Sequence, residues 1–318
     1  MANWFCLSAV YDWYLRCRFS MAGLKPTTTD LGDGTIMHCW VPRKRADSKP
    51  NLLLIHGIGA NAMWQFSDFV SPLVGHFNLY IPDLVFYGAS WTTRPERSES
   101  FHARCVAVLM EAQGVRRMHV VGLSYGGFVG YWLAAQFKER VERVVLCCAG
   151  VCMEDKDMEE GMFQVRNVDE AVSVLQPQTV SKARDLLRMT FYEPLKFVPG
   201  FFLNDFIKFM CTEHVQERAD MIRVLHKDRK LSNLPKITQP TLILWGEHDL
   251  IFPIELAHRL KRHVGENAQL VIIKNAGHAI NAEKPKEMCN HYKSFLLSQL
   301  PPKAENGNNN IINGHKVY

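Results

Sequence analysis

Along the chain, short blocks of consecutive apolar residues alternate with longer stretches whose apolar positions recur every three or four residues. The blocks at 52–56, 79–82, 118–123, 144–148, 241–245 and 269–274 are four to six residues long. Such continuously apolar runs read as strands covered on both faces. Between them, 64–74, 100–113, 125–138, 254–263 and 285–299 carry helical periodicity. The alternation predicts an α/β fold, a mostly parallel sheet flanked by helices. Ahead of it, 27–31 and 35–41 flank Gly32-Asp33-Gly34 and read as an opening hairpin, which brings the expected sheet to eight strands.

One interval breaks the rhythm. From residue 152 to 235 no convincing strand occurs, and large apolar groups crowd helical patches: Met162, Phe163, Phe191, Tyr192, Phe197, Phe201, Phe202, Phe206, Phe209 and Met210. The interval is too long for a loop and predicts a helical cap over the strand ends, inserted into a core of residues 24–151 and 236–300. Most of the large side chains would form the cap's own interior, and some would face the site below. Residues 1–23 read as an amphipathic helix in which Ser8, Asp12 and Arg16 form a polar stripe while Leu7, Tyr11, Tyr14 and Leu15, with Trp4, lie away from it. Two accounts fit: a helix packed on the domain, or an aromatic face lying on a membrane surface. The polar, Asn-rich residues 301–318 are expected to be a disordered tail.

Composition narrows the function classes. The 318 residues are 47% apolar and 22% charged, with a formal net charge of +5. That excludes a disordered scaffold or a multi-span membrane protein, and no basic groove or zinc-finger spacing suggests nucleic acid. Nine cysteines without a CxxC pair read as reduced thiols in a cytoplasmic compartment.

The chemistry is concentrated at four predicted strand ends. Gly122-Leu123-Ser124-Tyr125-Gly126 lies between a strand and a helix, the setting of a nucleophile elbow: the flanking glycines permit a tight turn, and the serine is strained outward. A serine hydroxyl needs a base, and His278 in Asn275-Ala276-Gly277-His278 stands just past the last strand. The base needs an acceptor to fix its tautomer, for which Asp249 follows the strand at 241–245, with Glu247 as its rival. Oxyanion donors are expected at the backbone N–H of Tyr125, after the nucleophile, and of Ile58, in His56-Gly57-Ile58-Gly59. His56 itself reads as a loop-orienting residue.

The segments HGIG, PDLVFYGAS, GLSYGG, WGEHD and AGHAIN, in this order, resemble an α/β-hydrolase with a helical cap, over roughly residues 24 to 300. The resemblance is nearest to plant monoacylglycerol lipase-like proteins and to 2-hydroxy-6-oxo-dienoate hydrolases. It implies a Ser124, Asp249, His278 triad, an oxyanion hole at Ile58 and Tyr125, and no cofactor or metal. Ser124 stands where haloalkane dehalogenases carry Asp, and Leu123 where the carbon–carbon hydrolases usually carry Asn. The expected function is hydrolysis of carboxylic esters of apolar acyl groups. The expected partner is a small apolar ester or lipid, and the expected state a monomer or weak homodimer with peripheral membrane contact through residues 1–23. Carbon–carbon hydrolysis is a rival, with Arg166, Arg184 and Arg188 available for a substrate carboxylate. A slow-turnover ligand receptor is another.

Overall fold

The computed structural model describes residues 6–298. The expected tail at 301–318, and Trp4 at the other end, lie outside the described residues. Helix α1 (Leu7–Met21) leads into the hairpin β1 (Leu24–Asp30) and β2 (Thr35–Pro42). There follow β3 (Asn51–Ile55), α2 (Ala62–Leu73), β4 (Asn78–Pro82), the two-residue β5 (Trp91–Thr92), α3 (Glu99–Ala112), β6 (Met118–Leu123), α4 (Tyr125–Gln136) and β7 (Val141–Cys147). Then come five helices without an intervening strand: α5 (Asp155–Glu159), α6 (Val168–Leu175), α7 (Val180–Thr190), α8 (Gly200–Met210) and α9 (Val215–Leu225). The chain returns through β8 (Thr241–Gly246), α10 (Ile254–Val264), β9 (Ala268–Ile273), α11 (Ile280–Glu283) and α12 (Pro285–Leu297).

The sheet runs β1-β2-β4-β3-β6-β7-β8-β9, the eight strands expected, and β5 adds a ninth beside β2. At two residues β5 carries no periodicity, so no pattern could reveal it. From β4 onward the sheet is parallel, with Ile55 opposite Gly122 and Gly246 opposite Ile273. Strands β4, β6 and β8 are buried at every residue, the two-sided burial their unbroken apolar runs require. Because β3, β6, β8 and β9 are parallel, the loops that follow them share one edge of the sheet. In open α/β sheets that edge is where ligands bind.

Helix α1 reverses the usual arrangement. Two of the three stripe residues face inward: Ser8 and Asp12 are buried, while Arg16, Leu7, Val10, Tyr11, Trp13 and Tyr14 are exposed. The Asp12 carboxylate accepts from Trp64 Nε1 at 3.0 Å and from Arg16 Nε at 2.8 Å, and Ser8 N donates to Asp205 at the surface of α8. Only Leu15 and Phe19 enter the core, next to Trp40. All nine cysteines are free thiols.

Candidate active site

Ser124 follows β6 and caps α4 with φ 52° and ψ −119°, a conformation that an L-residue holds only under constraint. The constraint is steric. A Cβ on Gly126 would stand 2.1 Å from the Ile55 carbonyl oxygen, and one on Gly122 would stand 2.3 Å from the Gly126 oxygen. The two bare positions let helix α4 start directly against β3, leaving the serine at the apex.

His278 Nε2 lies 2.9 Å from Ser124 Oγ, and His278 Nδ1 lies 2.8 Å from Asp249 Oδ2. Asp249 is fully enclosed, and its two oxygens divide the work: Oδ1 accepts the Ile251 and Phe252 N–H groups at 2.8 Å each, and Oδ2 faces the imidazole. The turn role and the partner role therefore coexist in one carboxylate. With Nδ1–H donated to Asp249, the imidazole presents Nε2 as an acceptor toward the serine hydroxyl. Glu247, the rival acid, points elsewhere and pairs with Lys274. Cys148, at the end of β7, brings its thiol within 4.8 Å of the facing atoms of Asp249 and His278, and burial raises its pKa well above the ordinary thiol value.

Ile58 and Tyr125 line the cavity above Ser124. Neither of their N–H groups donates to another protein group among the described residues, so two backbone donors remain for a ligand beside the serine. The loop carrying Ile58 is fastened from two sides. His56 is fully buried; its Nε2 accepts from Leu84 N at 2.9 Å, which leaves Nδ1–H to donate to the Gly57 carbonyl at 2.8 Å. Burial lowers the pKa of His56 and keeps it neutral in that role, as expected of a loop-orienting histidine. Gln65, on the first turn of α2, accepts from Gly57 N and donates to the Gly57 and Ala60 carbonyls.

Two residues outside the sequence expectations hold this site. Gln65 is one. Glu283 is the other: one oxygen accepts Gly277 N, next to His278, and the other accepts Tyr192 N beyond α7. Both act on backbone groups of irregular loops, five to eight residues away except for Tyr192, 91 residues from Glu283, and no periodic pattern marks them. The segment between β7 and β8 also supplies apolar lining: Phe163, Phe191, Phe202 and Phe206 face the cavity, whereas Phe197 and Phe201 are exposed. Arg166 and Arg188 pair with Glu170 and Asp185, and Arg184 donates to the Val198 carbonyl. None of the three lines the cavity at Ser124, which removes the carboxylate pocket considered for carbon–carbon hydrolysis.

Residues 50–285 match the family described as alpha/beta hydrolase fold. Monoacylglycerol lipase abhd6-B of Xenopus laevis is 25% identical over 302 residues, covering 92% of this chain and 87% of its own. Human monoacylglycerol lipase ABHD6 is 24% identical over 303 residues, with the same coverage of 92% and 87%. Among solved structures, lip1 from Acinetobacter baumannii AYE superposes with a TM-score of 0.78 at 26% identity, covering 90% of this chain and 95% of that one. A membrane phospholipase A described as a bacterial virulence factor superposes at 0.70 with 25% identity and 92% coverage of both chains. With sheet order, strand-end loops and these matches in agreement, the chain belongs to the alpha/beta hydrolase fold family.

Proposed function

We propose that this hydrolase is a serine carboxylester hydrolase acting on apolar acyl esters. The observation that carries the reading is the unbroken Asp249–His278–Ser124 hydrogen-bond chain beside two backbone N–H groups without protein partners. Ser124 Oγ attacks the ester carbonyl as His278 Nε2 takes its proton. The oxyanion is met by the Ile58 and Tyr125 amides, the latter at the N-terminus of α4, where the helix dipole favours negative charge. His278 then protonates the departing alcohol and activates water to release the acid. Asp249 fixes the tautomer throughout. Fluorophosphonate labelling with peptide mass spectrometry tests this: the adduct is expected on Ser124 and is lost in Ser124→Ala. A label on another residue, or parent-rate ester hydrolysis by Ser124→Ala, overturns it.

A further reading, favoured by the outward aromatic face of α1, is peripheral contact with a membrane surface. No helix among the described residues is long and apolar enough to cross a bilayer. Tyr14, Tyr11, Trp64 and Phe209 form a continuous series of ring contacts from α1 to α8, at 6.1, 4.9 and 6.1 Å between centroids. Aromatic rings of this kind suit the boundary between water and lipid.

A further inference from the structure

The cavity at Ser124 divides into two branches of very different size. An outer branch of about 690 Å³ runs beneath α7 and α8 toward Leu195 and Phe202, both exposed at its end. An inner branch of about 70 Å³ runs under α6 and α9 toward Val165, Val174 and Leu225. Only Ile58, Ser124, Leu186, Thr190 and His278 line both. Three of these carry the proposed chemistry, so the branches part at the reacting centre itself.

The partition is helix α7. Leu186 and Thr190 are four residues apart, on one ridge of the helix, and border both spaces. Ala183 and Leu187, the neighbouring ridge, face only the outer branch; Met189 faces only the inner one. The Ala279 N–H donates to the Thr190 carbonyl at 2.8 Å, and a Cβ on Gly277 would stand 2.6 Å from that oxygen. The ridge is therefore locked to the loop that carries His278.

An ester carbon bound at Ser124 sends its acyl group one way and its alcohol the other. The two branches must then receive the two arms. The inner one has room for a group the size of about five waters, the outer one for a long chain. Charge selects as well. No Lys or Arg lines either branch, and the one ionisable acid, Glu193, lines the outer. His226 in the inner branch is held at about 4 by burial, so it is neutral at pH 7. A carboxylate or phosphate held inside either branch would lose its water without gaining a cationic partner.

Resting on the ester-hydrolase reading, we infer that the substrate class is an uncharged, lopsided ester, one long apolar arm in the outer branch and one compact arm in the inner, with α7 as the specificity-determining divider. The test is kcat/KM on defined esters with the full chain. The better of methyl decanoate and decyl acetate is expected to exceed decyl decanoate at least tenfold, and monodecanoylglycerol to exceed its 3-phosphate at least tenfold. Leu187→Trp is expected to lower at least tenfold the ratio of the better long-armed ester to its four-carbon counterpart, methyl butyrate for methyl decanoate or butyl acetate for decyl acetate. Val165→Trp, at a partly exposed position, is expected to lower the ratio of a four-carbon to a shorter compact arm, butyl to methyl decanoate or decyl butyrate to decyl acetate according to which ester is the better. Equal rates on decyl decanoate and the lopsided esters, equal rates on the phosphorylated pair, or ratios unmoved in both variants overturn this inference while leaving the hydrolase reading intact. No turnover of any ester, with Ser124 unlabelled by fluorophosphonate, overturns both.

Discussion

At Asp249 one carboxylate serves two masters, and a single atom exchange separates them. Asp249→Asn keeps an oxygen for the Ile251 and Phe252 N–H groups, so the turn survives. The new NH₂ faces His278 Nδ1, which must then become the acceptor, and the ring proton moves to Nε2. A protonated Nε2 cannot take the serine proton. Under the proposed mechanism kcat falls about 10⁴-fold while KM and the melting temperature change little; steady-state kinetics and calorimetry check both halves. Gly126 is the opposite case, a residue whose importance is purely spatial. Gly126→Ala forces a methyl against the Ile55 carbonyl at 2.1 Å. Because backbone must yield, a loss on the order of 3 kcal/mol is expected in denaturant titration. These residues were legible in the sequence because their constraints are local: a turn that admits no Cβ, and an acid and a base each at the end of an apolar strand.

Helices and loops carry the parts that were not legible. The stripe of Ser8, Asp12 and Arg16 is plain in the sequence, but periodicity cannot say which side of it faces the protein. Its direction is set by Trp64, Asn61 and Asp205, between 49 and 197 residues away. An outward face of Val10, Trp13 and Tyr14 leads to the membrane test: Val10→Glu with Trp13→Glu alters only exposed positions and should leave the melting temperature unmoved. Flotation with anionic phospholipid vesicles should carry the parent chain upward and leave this variant in the load. Equal flotation of both refutes contact through α1. Gln65 lies close in sequence to its partners, but they stand on an irregular loop that no periodicity describes. Replacing it by Leu keeps the volume on α2 and removes its three bonds to Gly57 and Ala60. With Ile58 loosened by about an ångström, kcat should fall on the order of 10²-fold at nearly constant KM. An equal rise in KM would assign Gln65 to substrate contact instead.

Across the whole molecule, buried neutral histidines tie stability to pH. His102 on α3 sits among Phe86, Phe101 and Tyr125, and neither ring nitrogen has a hydrogen-bond partner. Burial, with lesser contributions from His56 and Arg97, pulls its pKa to about 3. Burial likewise holds His119 on β6 and His226 after α9 near 4; Glu142 opposes the shift at His119, and Arg229 adds to it at His226. In the unfolded chain all three titrate near 6.5. The folded protein binds fewer protons below that value, so stability is fully present above about pH 6.5 and is lost as pH falls toward 4 and then 3. For His102 alone the loss at pH 5 is about 2 kcal/mol. A leucine at this position has no proton to gain and no nitrogen to leave unpaired. His102→Leu should therefore melt nearer to the parent at pH 7.5 than at pH 5, where it should be the more stable of the two, and its melting temperature should fall less steeply between those values. Parallel slopes for parent and variant would mean that His102 is hydrated or protonated in the folded state, and the acid sensitivity would then have to come from His119 and His226.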